Sequence, residues 1–338
     1  MKTRMISFMK HTKDRMANPM SLGEITQLVT LAKQIGATHC EVATVMGHPN
    51  FASHSKLWAD EIHAQGLSVT WRCAHQNMEG LYGAPKYVGV DRISPASWIA
   101  IIQHQISLIK DLIKPGDECA LLPERTENIW QDATSWFWPN TGDNYAKFFI
   151  DLHNSLKIYP WTVGLSANNA SELFSGWMPH SLSDTFGVTV VDHYHDGDPI
   201  LYEQEVRKLK SLYGKQVYVQ EGAPHRFIKP TAIYAKNYFD ANKRLDEDGI
   251  LYGFGSWSGW AGTPEAIFDL VGGLWFLNEQ GKALKDWWNP TAPLPDLAKV
   301  VSDLITELGS QKKLSAIRTE IYSSHSSITK VNEVKKLL

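Results

Sequence analysis

The sequence predicts an α/β fold, a (β/α)8 TIM barrel, on three observations. Short β-rich apolar runs alternate with longer stretches of helical periodicity from residue 4 to about residue 281, the pattern of repeated βα units around a parallel sheet. Eight such units fit into roughly 280 residues, close to the ~250 typical of a closed barrel. No glycine-rich phosphate loop follows the first run, as an open dinucleotide-binding sheet would require.

The first strand is expected over 5–9, and the others over 39–44, 67–73, 118–123, 162–166, 188–193, 216–220 and 250–255. Strands of this kind read as near-continuous apolar runs because both faces of a parallel sheet are covered. After the first run, Ser21 and Glu24 form the spacing in which a hydroxyl and a carboxylate each meet an orphan backbone N–H at a helix start. Ile25, Leu28, Val29 and Ala32 then recur at three- and four-residue steps, so one face of that helix is apolar. Gly36, Gly66 and Gly116 stand where left-handed residues would end helices. Ser94 before Pro95 and Thr263 before Pro264 repeat the start signal, since proline's missing N–H is not needed at the first helical position. Tyr145, Phe148, Phe149, Leu152 and Leu156 give the helix after strand four its buried face. Trp98 and Trp275 fall inside helix-like apolar patterns and are expected in the core.

The composition changes after Gly281. Pro290, Pro293 and Pro295 lead into an amphipathic helix around 297–308, then a Ser- and Thr-rich stretch over 315–329. The barrel is therefore placed at residues 1–282 and a C-terminal helical appendage at 283–338. Covering the barrel bottom and making an oligomer contact are its two candidate roles.

Composition also narrows function. With 43% apolar and 20% charged residues, the chain has the make-up of an ordinary globular protein with a large core. A net charge of -3 argues against a nucleic-acid partner, because phosphate backbones are bound by clustered excess Lys and Arg. No run approaches a secretory signal or a membrane span, so no membrane partner is expected and the expected location is the cytoplasm. Cys40, Cys73 and Cys119 lie in or beside apolar strand-like runs, as buried free thiols do, and no CxxC or HExxH spacing suggests a metal. The excess is in aromatics: 13 Trp stand beside 12 Tyr and 12 Phe. A flat indole face fills a core or stacks on the apolar face of a sugar.

In this fold catalytic groups project from the C-terminal ends of the strands. Glu124 ends the run from Cys119, and Glu221 ends the run from Val217, three βα units later, so on a closed barrel both point into one mouth. Two carboxylates across a pocket are what glycosidic cleavage requires, one protonating the leaving oxygen and one attacking or activating water. Other strand ends carry Lys10 with His11, Glu41, Arg72 with His75, Asn168, and Asp192 through His195. Arg72 is suited to hold a carboxylate ionised, or to make an ion pair inside the barrel. The loop after strand four holds Trp130, Trp136, Phe137 and Trp138 among Asn128, Gln131 and Asn140. That mixture suits a sugar cleft or a hydrophobic lid.

On four pieces the chain resembles the large clan of retaining glycoside hydrolases with (β/α)8 barrels. They are Pro123-Glu124 on strand four, Asp192-His193-Tyr194-His195 on strand six, Gln220-Glu221-Gly222 on strand seven and Gly255-Ser256-Trp257 on strand eight. The resemblance spans strands one to eight. It implies Glu124 as acid/base, Glu221 as nucleophile, His193 or Tyr194 as the group orienting that nucleophile, and Trp257 as a platform under the sugar. Pro123 stands where the clan usually has the Asn that holds the sugar 2-hydroxyl. An oligosaccharide or glycoside is the implied substrate, and neither cofactor nor metal is called for.

Two other readings use the same residues. In a metal-dependent sugar isomerase or epimerase, Glu124, Asp192, His193 or His195, and Glu221 would converge as hard oxygen and imidazole ligands. In a non-catalytic carbohydrate-binding barrel, the aromatic cleft would remain and Pro123 would mark a lost sugar contact.

Overall fold

The computed structural model describes residues 1–73, 94–121, 141–164, 170–194 and 197–291. Each of the eight expected apolar runs overlaps a strand, the first strand starting two residues early and the last two running two residues further: β1 (Thr3–Ser7), β2 (His39–Val42), β3 (Ser68–Arg72), β4 (Glu118–Ala120), β5 (Thr162–Gly164), β6 (Thr189–Asp192), β7 (Val217–Gly222) and β8 (Leu251–Trp257). They form one parallel sheet in the order β5-β4-β3-β2-β1-β8-β7-β6. The first and last strands pair, with Met5 opposite Gly255 and Ser7 opposite Trp257, so the sheet curls into the expected (β/α)8 barrel. No ladder joins β5 to β6 among the described residues. An interior cavity of about 40 Å³ is lined by Val163, Phe186, Val188, Tyr218, Gln220 and Tyr252.

The helices are α1 (Met9–Lys13), α2 (Leu22–Ile35), α3 (Phe51–Ala64), α4 (Pro95–Ser107), α5 (Gly142–Leu156), α6 (Ala170–Phe174), α7 (His180–Phe186), α8 (Pro199–Tyr213) and α9 (Ala232–Glu247). Ser21 and Glu24 make the full capping box on α2, and the Ser94 side chain accepts from the Ser97 N–H ahead of Pro95 on α4. Gly36 closes α2 at φ 99°, its N–H reaching the carbonyls of Ala32 and Lys33. Ile25, Leu28, Val29 and Ala32 are fully buried, as is Trp98, and the three cysteines are buried free thiols. No described helix is long and apolar enough to cross a membrane.

One stretch departs from the expected pattern. Thr263 and Pro264 open no helix; the Thr263 hydroxyl bonds back to the Trp260 carbonyl in a turn. Beyond that turn the chain forms an antiparallel hairpin of β9 (Phe268–Val271) and β10 (Leu274–Leu277), with Trp275 buried on the second strand rather than on a helix. The reason is the Gly272-Gly273 pair, which adopts φ 60° and 82°. Two positive φ values in succession make the two-residue turn whose twist matches paired strands, and glycine reaches them without steric cost. The chain then enters α10 (Glu279–Trp288), capped by Asn278 and packed against α2 and α9. This helix runs across position 282, the boundary that the change in composition suggests between barrel and appendage. The segments 297–308 and 315–329 lie outside the described residues.

Contacts between strands that are not neighbours must cross the barrel interior, and they reveal two polar layers. In one, Thr3 of β1 donates to Glu118 of β4 at 2.6 Å, and Tyr218 of β7 donates to the same carboxylate at 3.4 Å. In the other, Arg72 of β3 reaches across to Glu221 of β7, and on the neighbouring pair β1–β2 Ser7 donates to Glu41 at the same height. Met5 lies between them, its sulfur accepting from the Tyr218 hydroxyl at 3.6 Å. The period-two alternation of β1 thus stacks Thr3, Met5 and Ser7 inward as successive layers.

Candidate active site

The second polar layer lies at the C-terminal ends of the strands. Glu221 is 4% exposed, and its two carboxylate oxygens have different partners. Oε1 accepts from an Arg72 guanidinium nitrogen, and Oε2 accepts from the Tyr194 hydroxyl at 2.8 Å. The same Arg72 nitrogen lies 3.4 Å from Glu41 Oε1, while Ser7 donates to Glu41 Oε2. Arg72 is 4% exposed and Glu41 fully buried, so the guanidinium is a desolvated cation between two carboxylates.

Local irregularity aims these groups. The β6–β7 register shifts between Val191 and Asp192, and the β7–β8 register shifts between Val219 and Gly222. Such bulges break strict alternation and redirect a side chain, which is why they gather beside active sites. Here they bring Asp192 into register with Glu221 and let the His193 N–H bond the Glu221 carbonyl at 3.0 Å. Across the mouth Trp257 presents itself edge-on to Tyr194, with ring centroids 5.7 Å apart and planes at 73°. The buried indole N–H of Trp257 has no hydrogen-bond partner among the described residues. On its other side Tyr194 receives the Arg226 guanidinium, 4.8 Å from the ring centre.

Of the two residues expected to orient Glu221, Tyr194 is the one bonded to its carboxylate. The His193 ring instead stacks on Tyr202 of α8 at 5.1 Å, and its Nε2 lies 2.9 Å from Glu205 of the same helix. The next position along the chain therefore delivers the phenol to the mouth while the imidazole packs toward the helix layer. Asp192 is buried at the end of β6. Glu124, His75, Trp130, Trp138 and His195 lie outside the described residues, so the distance from Glu124 to Glu221 does too.

Glu41 is legible in the sequence as a strand-end residue, though without a partner, and Ser7 escapes notice there. A signal was present for Glu41: a carboxylate inside His39-Cys-Glu-Val, a strand buried along its whole length, must find a cation or donors. Ser7 carries no such mark, because a lone hydroxyl in an apolar run is common. His11, also at a strand end, sits fully buried amid Phe8, Trp260 and Trp275, with ring centroids 5.7, 4.7 and 5.3 Å away. Burial, assisted by the charge of Arg15, lowers its pKa to about 3, so it stays a neutral ring in an aromatic surround.

Fold and site together define an eight-stranded βα barrel with a buried carboxylate held by a cation and a phenol at the end of β7. No known family model matches the chain, and no curated protein matches its sequence. Solved structures do match. A beta-glycosidase is similar at TM-score 0.53 and 13% identity, over 85% of this chain and 92% of that one. The endo-1,4-beta-mannanase from Rhizomucor miehei is similar at TM-score 0.55 and 8% identity, over 75% and 85%. The GH5_18 protein from Streptomyces cattleya, in complex with GlcNAc, is similar at TM-score 0.61 and 12% identity, over 87% and 82%. At such identities the likeness shows the fold alone, a (β/α)8 barrel common to this chain and those three proteins.

Proposed function

We propose that this protein is a glycosidase that cleaves an oligosaccharide or glycoside by double displacement with retention, Glu221 acting as nucleophile and Glu124 as acid/base. The observation that carries the reading is the buried Glu221 carboxylate, bonded through one oxygen to Arg72 and through the other to Tyr194 at 2.8 Å. An attacking carboxylate has to be ionised and aimed. A guanidinium favours the anion, and a phenol on the second oxygen fixes its plane. The shared barrel with a beta-glycosidase and an endo-1,4-beta-mannanase supports the same class of reaction.

In this reading Glu221 attacks the anomeric carbon while Glu124 protonates the departing oxygen; Glu124 then takes a proton from the water that releases the sugar. Trp257 is the platform beneath the sugar ring. His75, Trp130, Trp138, Asp192 and His195 line the cleft around it. Arg72 on Glu221 also bears on the isomerase alternative, since a guanidinium against the carboxylate repels a second cation there. A panel of activated aryl glycosides tests the proposal. The wild-type protein is expected to turn over at least one of them, and Glu221→Ala to abolish that turnover, with azide partly restoring it. A Glu221→Ala variant of full activity would refute the assignment.

A further inference from the structure

We infer that Glu41 is a positioning residue for Glu221, acting through Arg72, so that two carboxylates on opposite sides of the barrel share one guanidinium. The inference rests on the reading of Glu221 as nucleophile. Its basis is a line of contacts across the barrel mouth: Ser7 on β1, Glu41 on β2, Arg72 on β3, Glu221 on β7 and Tyr194 after β6. A single guanidinium nitrogen touches both carboxylates, and Glu41, fully buried, is fixed on its far oxygen by Ser7.

This arrangement has a chemical consequence. A cation devoted to the nucleophile alone would draw off electron density, and the power of a carboxylate to attack rises with its basicity. Glu41 takes part of the Arg72 charge, leaving Glu221 ionised yet more basic, and it anchors a long side chain that would otherwise lose rotamer freedom on docking. The titratable and charged groups facing the pair among the described residues are Arg72 from β3, Tyr194 after β6, Asp192 in register with Glu221, and Tyr218 from β7. Burial, followed by the charges of Glu118 and Glu41, pushes the Tyr218 hydroxyl well above the ordinary tyrosine range, which removes it from the working pH window.

The experiment is the pH profile of kcat/KM for the full-length protein with a 2,4-dinitrophenyl glycoside that the wild type cleaves. Glu41→Gln keeps the shape and the hydrogen-bond acceptor but removes the charge. Its acid limb is expected to move to lower pH by about one unit, with a lower plateau. Ser7→Ala, which removes one hydrogen bond to Glu41 and leaves every charged side chain in place, is expected to move the limb in the same direction by less, and it carries the test if Glu41→Gln does not fold. A limb that stays in place in these variants, or moves upward, overturns the role of Glu41, because a merely structural counter-ion of Arg72 would leave the profile unmoved. Glu221→Ala separates the two ideas. If it remains active, the nucleophile reading falls and the role of Glu41 with it; if it is dead while the limb is unmoved, only the role of Glu41 falls.

Discussion

Tyr194 and Glu221 stand 27 residues apart in the chain and meet at 2.8 Å, the phenol donating to a carboxylate oxygen that Arg72 does not use. A hydrogen bond to a charged acceptor contributes about 1.5 to 3 kcal/mol. Tyr194→Phe is therefore expected to lower kcat/KM by about 10- to 100-fold while the ring keeps its packing against Trp257. Steady-state kinetics beside a thermal melt checks this. A drop in activity matched by a large drop in melting temperature would point to lost packing instead.

Arg72 neutralises a buried site, and its removal is expected to be felt in stability as well as rate. Arg72→Met leaves Glu41 and Glu221 as uncompensated carboxylates, both at most 4% exposed. Breaking a buried pair in this way costs about 3 to 5 kcal/mol. Adding Glu41→Gln to Arg72→Met removes one of the stranded charges, so the double variant should be more stable than the single one. Urea unfolding of wild type, Arg72→Met, Glu41→Gln and the double variant measures both effects; additive losses in the double variant would show that the residues are not coupled.

Gly255 of β8 leaves no room for a side chain. A Cβ there would run into the Gln220 carbonyl oxygen and the Met5 terminal methyl. The first of these is backbone and cannot swing away, so Gly255→Ala must shift β7 or β8 and with them the register that aims Glu221. Overpacking of this kind costs about 1 to 3 kcal/mol or more. A lower melting temperature together with reduced activity is expected, and an alanine variant as stable as wild type would show that the strands part easily.

His11 makes stability depend on acid. Its pKa is lowered from 6.5 to about 3 in the folded state, burial being the larger cause and Arg15 the smaller. Between these values the unfolded chain binds a proton that the folded chain does not, so stability is fully present above pH 6.5 and falls as the pH drops toward 3. The loss attributable to one such group is up to about 1.4 kcal/mol per pH unit. Chemical denaturation at a series of pH values should show this slope, and His11→Leu should flatten it. An identical acid slope in wild type and variant would mean that other groups set it.

Much of the barrel was legible because parallel strands leave a strong local mark. Each of the eight runs is short and rich in apolar and β-branched residues, and signals such as Ser21 with Glu24 or the glycine at position 36 act within a single turn of chain. The hairpin over 268–277 leaves a weaker local mark for a related reason. Its short apolar runs fit a helix face as well as two strands, and the deciding mark was the Gly272-Gly273 pair between them.

The line from Ser7 through Glu41 and Arg72 to Glu221 shows where such reading stops. Arg72 and Glu221 are 149 residues apart, and Arg72 and Glu41 are 31 apart. No spacing rule links them, because their meeting depends on which residues of each strand turn inward at the same height.

By itself, then, the sequence determined the class of fold, the parallel βα repeat and the strand-end position of Glu221, since each follows from interactions between residues near one another in the chain. Only the tertiary structure decided that Tyr194 rather than His193 bonds Glu221, that β7 is bulged to aim it, and that Arg72 is shared with Glu41. Those choices depend on register and inward direction around a closed sheet, where a shift of one residue exchanges a side chain that faces the mouth for one that faces the helices.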